Sequence, residues 1–161
     1  VIMVDANDLR HLRRCIELAE EALNAGDEPF GSVLVSADGE VLAEDRNRVG
    51  GGDHTRHPEF ALARWAAENL TPEERLDCTV YTSGEHCPMC AAAHGWVRLG
   101  RIVYVASATQ LTEWLTALGV PAAPVRALAI NEVVPSAAVF GPVPELVEDI
   151  HALHVRFRTG H

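Results

Sequence analysis

Lysine is absent from this 161-residue chain, and all 13 basic residues are arginine. A Schiff-base lysine, a pyridoxal-phosphate anchor and a phosphate-loop lysine are therefore excluded. Positive charge is scarce altogether, since 23 acidic residues leave a formal net charge of −10. Nucleic-acid affinity depends on basic side chains that release counterions from phosphates, so nucleic acid is an unlikely partner and a small uncharged substrate fits better. No apolar run is long enough to span a bilayer, and no membrane partner is expected. Residues 1–14 contain no continuous apolar segment ahead of a small-residue cleavage site, so no secretory leader is expected and a cytoplasmic location is. Internal repeats and low-complexity linkers are missing as well.

What is present, 48% hydrophobic and 22% charged residues, is the composition of a soluble globular protein. The length suits a single domain over 1–161. Apolar residues at Leu9, Leu12, Ile16, Ala19, Ala22 and Leu23 predict a helix over 8–25, capped by Asn7 or Asp8. Residues 32–35 read as a buried strand, Asp38-Gly39 as a hairpin turn, and 41–43 as the start of an antiparallel partner. A mobile loop is expected over 48–56, then a helix from His57 or Pro58 to about residue 70. Strands follow at 78–82, 101–106 and 125–130, with helices at 88–97 and 111–118. A proline-rich lead precedes a last helix over about 145–157. Five strands among helices predict an α/β fold with α/β/α layers.

Two short segments carry the chemistry: His57-Pro58-Glu59 and Cys87-Pro88-Met89-Cys90. An imidazole and two thiolates supply three of the four ligands of a tetrahedral zinc, and the open fourth position marks a catalytic site. Glu59, two residues beyond His57, is placed to carry protons without itself being a ligand. Both segments open a predicted helix, where the dipole and free amides favour thiolate over thiol. A CxxC at a strand-to-helix junction also fits a thioredoxin-like redox motif, but such a motif has no need of the preceding His-x-Glu. A structural zinc closed by Cys78 is the other alternative, and a non-catalytic zinc-binding interaction domain is a third. His54 offers a substitute ligand from the loop, and His94 follows Cys90 by one helical turn. His11, His151 and His154 read as surface or tail residues.

The His-x-Glu and Cys-Pro-x-Cys pattern resembles the zinc nucleobase deaminases of the cytidine-deaminase-like superfamily. Pro29-Phe30-Gly31, Asn47 and Tyr81-Thr82-Ser83-Gly84-Glu85 look most like its guanine deaminase branch, and the resemblance covers roughly residues 8–115. It implies a three-layer α/β/α cytidine-deaminase-like fold with a central mixed five-stranded sheet. It also implies Zn2+ on His57, Cys87 and Cys90, with Glu59 as the catalytic acid and base. Asn47, Phe30 and Trp96 match residues that bind the base in relatives. The implied function is hydrolytic deamination of a free nucleobase or related heterocycle (a guanine-like purine, a cytosine analogue or an s-triazine), with release of ammonia. A tRNA adenosine deaminase is the alternative within the same chemistry. The C-terminal segment, about 120–161, is expected to close the active site of a partner subunit in a swapped homodimer.

Three positions depart from the relatives' pattern. Pro58 stands where alanine is common and has no N–H to offer a substrate acceptor. Gln110, expected among the substrate-binding residues, stands at the ungapped match to a second, proton-shuttling acid, for which Glu113 substitutes after a small shift in alignment. His86 replaces a proline before the first cysteine of the pair.

Overall fold

The computed structural model describes residues 4–161. Helix α1, Ala6–Asn24, is followed by strands β1, Gly31–Val35, and β2, Val41–Arg46, then by a single 3-10 turn at Val49–Gly51. Helices α2, Pro58–Asn69, and α3, Pro72–Leu76, lead to strand β3, Thr79–Gly84, helix α4, Pro88–Val97, and strand β4, Arg101–Ala106. The chain ends with α5, Ala108–Ala117, α6, Ile130–Val133, β5, Val139–Phe140, and α7, Pro144–Thr159. The strands form one mixed sheet in the order β2-β1-β3-β4-β5. β1 is antiparallel to β2 and β3, while β3, β4 and β5 run parallel. Among the described residues no helix is long and apolar enough to cross a membrane.

Strand period sorts the core into two layers. Val33, Val35, Tyr81, Val103 and Val105 turn to one face, where Leu12, Cys15 and Leu18 of α1 meet Leu146, Ile150 and Leu153 of α7. Leu34 and Val80 turn to the other, against Leu62, Ala63 and Ala66 of α2. Farther along the second face, Ile102 and Tyr104 pack with Ala91 of α4 and Ile130 of α6. All five positions of β1 are buried because helices cover both faces.

The expected elements are present with two corrections. The predicted strand over 125–130 does not form: Val125 is exposed, and the Ile130 N–H donates to the Glu85 carboxylate at 2.9 Å instead of to a ladder. The edge of β4 is taken instead by Val139 and Phe140, which pair with Ile102 and Val103. The cap of α1 is Asp5, whose carboxylate accepts the Asp8 N–H at 2.8 Å while Asp8 accepts the Asp5 N–H at 2.9 Å. The short helix α3, with its Thr71–Glu74 capping box, is an element that the sequence pattern did not reveal.

Asp8 does more than cap. Its carboxylate receives both guanidinium nitrogens of Arg101, at 3.0 and 2.9 Å, and the Tyr81 hydroxyl at 2.6 Å, so it ties α1 to β3 and β4. Burial alone would raise its pKa, but these donors outweigh it and hold the group at about 2. A depressed carboxylate stabilises the fold above its unfolded pKa of about 3.9, and that contribution disappears as pH falls from about 4 through about 2. Asp8→Ala is expected to cost about 3 kcal/mol at neutral pH by leaving Arg101 without its carboxylate. In urea unfolding, the gap between variant and wild type should shrink as the pH is lowered through that window; a constant gap would refute the role.

Candidate metal and catalytic site

His57 and Cys87 occupy equivalent positions, each an extended N-cap followed by a proline in the first helical turn. Proline fits there because its missing N–H would have had no intrahelical partner. The sheet brings the two helix starts together. Among the described residues, His57, Cys87 and Cys90 are the one group of three or more that could hold a metal ion. His57 Nδ1 lies 3.4 Å from Cys87 Sγ and 3.6 Å from Cys90 Sγ, and the sulfurs are 3.5 Å apart. A tetrahedral zinc with Zn–S bonds of about 2.3 Å and a Zn–N bond of about 2.0–2.1 Å needs edges of about 3.8 Å and about 3.5 Å. The two S–N edges match and the S–S edge is slightly short, so the three donors fit zinc with a small outward shift of the sulfurs.

Electrostatics in this triangle follow from crowding. The neighbouring Cys90 thiol, with help from His57, holds Cys87 down at about 4 against the effect of burial. Cys90 is driven far up by Cys87 and by burial. The hydrogen bond to Cys87 holds His57 above the usual imidazole range, against the pull of burial. Two thiolates this close need a cation between them, which is what a zinc ion supplies.

Glu59, on the first turn of α2, is 6% exposed and is not one of the three donors. Burial raises its pKa, while His57 and the Thr82 hydroxyl oppose the rise. Its Oε1 accepts from Thr82 Oγ1 at 2.8 Å and Ser32 Oγ at 3.1 Å. Pattern reading missed both hydroxyls. A serine and a threonine inside buried strands were the available signal, since such groups need partners.

The remaining sequence candidates divide. Asn47 is buried; its N–H donates to Phe30 O at 3.0 Å and its Oδ1 accepts from Val49 N at 3.0 Å. That leaves Nδ2 as the free donor. Phe30 lies over Gly84, where an added Cβ would sit 3.2 Å from the ring, and meets His154 edge-on with centroids 5.0 Å apart. Trp96, in contrast, is 89% exposed. It follows the buried His94 by two residues, and a helix turns about 200° in that distance. Gln110 is engaged in capping α5, its Oε1 accepting the Ser107 N–H at 2.9 Å, and Glu113 is exposed on the same helix.

Two histidines expected at the surface or in the tail are buried. His11 is buried against Tyr81, and burial lowers the pKa of His154 to about 3. His94 Nε2 donates to Gly100 O at 2.8 Å, and its ring stands edge-on to His86. His54 is exposed and outside the metal group. The loop expected to be mobile is held by Asp27, which accepts from Gly50 N and Arg46 Nη1 at 2.7 Å each. Glu85, also missed, accepts from Ala108 N at 2.8 Å and Ile130 N at 2.9 Å, clamping the starts of α5 and α6. Cys78 donates to Glu74 O at 3.2 Å and stands in the core, not in the metal group.

Comparison with known proteins places this geometry. The family described as the cytidine and deoxycytidylate deaminase zinc-binding region matches residues 5–106. Guanine deaminase of Bacillus subtilis is 41% identical over 104 residues, 63% of this chain and 66% of that protein. A probable cytosine deaminase of Schizosaccharomyces pombe is 36% identical over 100 residues, 60% of this chain and 59% of that protein. The match thus spans less than two thirds of either relative's length. The solved guanine deaminase of Nitrosomonas europaea superposes with a TM-score of 0.70 over 98% of this chain and 87% of its own, at 19% identity, a likeness of fold.

Replacing His57 with Ala, or Cys87 or Cys90 with Ser, is expected to abolish stoichiometric zinc after dialysis, whereas Cys78→Ser retains one zinc per chain. Elemental analysis decides. Loss of zinc from Cys78→Ser would show a closed, four-ligand site instead.

Proposed function

From the premise that this chain belongs to the cytidine and deoxycytidylate deaminase zinc-binding family, we propose that it is a hydrolytic deaminase of a free amino-substituted nucleobase or related heterocycle. The observation that carries the reading is Glu59, a buried carboxylate beside three zinc donors that is not itself one of them. When bound, zinc supplies the Lewis acidity that makes a hydroxide nucleophile available near neutral pH. Glu59 takes a proton from the attacking water and delivers it to the ring nitrogen beside the amino-bearing carbon. It then assists the departure of the amine, which leaves as ammonia as the carbonyl forms. Burial raises the Glu59 pKa toward the working range of a group that must act first as base and then as acid.

Substrate recognition rests on three residues. Asn47 offers Nδ2 to a ring carbonyl or ring nitrogen of the base. Phe30 supplies an aromatic wall. Pro58 withholds the backbone donor that an alanine would present. A base with an acceptor there loses its partner inside the pocket, at about 1–3 kcal/mol, or about 10–100-fold in discrimination. Guanine-like bases and amino-triazines are accordingly the compounds to compare. Gln110, Glu113 and Trp96 receive no role within the single chain.

We take residues 1–161 as one deaminase unit. A swapped homodimer would exchange the contacts that α7 makes here with α1 and β4 of its own chain, because swapping reuses identical contacts. Sedimentation that shows only monomer would sink it. Cys15 and Cys78, buried thiols outside the metal group, suit a reducing, cytoplasmic setting.

The test is ammonia release from guanine, cytosine, adenine and amino-triazines by the zinc-loaded protein. Turnover on at least one is expected, with Glu59→Gln keeping its zinc and losing about 10²–10⁴-fold in kcat. Release from transfer RNA alone would replace the free-base reading. Pro58→Ala restores the N–H and should raise kcat/KM for a base with an acceptor at that point by about 10–100-fold, leaving other bases unaffected. Uniform behaviour across the panel would remove Pro58 from specificity.

A further inference from the structure

The two hydroxyls on Glu59 remain to be explained. Ser32 of β1 and Thr82 of β3 are direct cross-strand neighbours, both 0% exposed, with oxygens 2.9 Å apart. Both contact the same carboxylate oxygen, Oε1. Neither reaches Oε2. The carboxylate also adjoins the Cys90 sulfur, so Glu59 borders the metal donors as well as the sheet.

This asymmetry bears on catalysis. The last torsion of a glutamate is broad and roughly two-fold, so an unrestrained carboxylate exchanges its oxygens freely. Hydroxyl–carboxylate hydrogen bonds are charge-assisted, and two of them from adjacent, hydrogen-bonded strands break that two-fold equivalence. Core packing alone does not account for the pair, since a buried hydroxyl costs free energy unless it is satisfied. The Thr82 hydroxyl has one proton, and Glu59 Oε1 at 2.8 Å, nearer and charged, takes it in preference to Gly84 O at 3.0 Å.

Resting on the deaminase reading above, we propose that Ser32 and Thr82 are positioning residues that pin Glu59 Oε1 and so present Oε2 as the one oxygen that handles protons. The sheet register sets the carboxylate, and the carboxylate sets the line of proton transfer. Misplacing a reacting group by about 1 Å costs on the order of 100-fold in rate.

The test compares zinc-loaded wild type, Thr82→Val, Thr82→Ser and Ser32→Ala, using guanine as the probe and a crystal structure of each protein. Thr82→Val removes the hydroxyl at nearly constant volume, so the fold should survive. The expected result is a fall in kcat of about 10–100-fold with KM and zinc content unchanged. Thr82→Ser should recover most of the loss. In the crystals, Glu59 should turn or split into two orientations in Thr82→Val and Ser32→Ala, and keep the wild-type orientation in Thr82→Ser. An undisturbed Glu59 with unchanged kcat overturns the proposal. Equal losses in Thr82→Val and Thr82→Ser, or loss of zinc with kcat, also overturn it by showing a packing role. If wild type deaminates no base, the deaminase reading fails separately, and the Glu59 orientation alone decides the positioning proposal: turned in Thr82→Val upholds it, fixed in all variants refutes it.

Discussion

The structure depends on bringing two helix N-termini to one end of a sheet. α2 presents His57 and α4 presents Cys87 and Cys90, and neither segment alone holds enough donors for a metal. Proline in the first turn of each helix fixes where the helix begins, so the donors sit at defined points on extended caps. The same geometry leaves two thiols too close to ionise together without a cation, so the fold creates a demand that zinc meets.

The sheet supplies what the helices cannot. The register between β1 and β3 places Ser32 opposite Thr82, and both hydroxyls meet the carboxylate that α2 carries two residues after its ligand. On the far side of the layer, Asp8 ties α1 to Arg101 and Tyr81, so the ends of β3 and β4 away from the site are braced by a half-buried ion pair. Near the site, Glu85 clamps two backbone amides and Asp27 holds the 3-10 turn after β2. Charged groups thus recur wherever a loop must be held without a ladder of its own.

Much of this is legible in the residues. His57, Cys87 and Cys90 declare themselves by type and spacing, and the helix starts at Pro58 and Pro88 follow from proline chemistry. Strands with clear period-2 or continuous apolar runs are equally plain, as at 101–106. What escapes is what depends on register and on long-range partners. No local pattern shows that Ser32 faces Thr82, that Glu85 takes the Ile130 amide from a strand-like segment, or that two residues, Val139 and Phe140, win the sheet edge. His154 escapes for the same reason, a tail histidine buried against Phe30, and nothing local shows that Trp96 lies on the outer side of its helix.

Three protein donors would hold the metal and leave its fourth position open. Zinc K-edge X-ray absorption on the zinc-loaded protein tests it most directly. Two sulfur neighbours at about 2.3 Å, one imidazole nitrogen at about 2.0–2.1 Å, and one further light atom that exchanges when a small anion is added are expected. Three sulfurs, or a fourth protein ligand that no added anion displaces, would contradict it, because a closed zinc cannot do hydrolytic work.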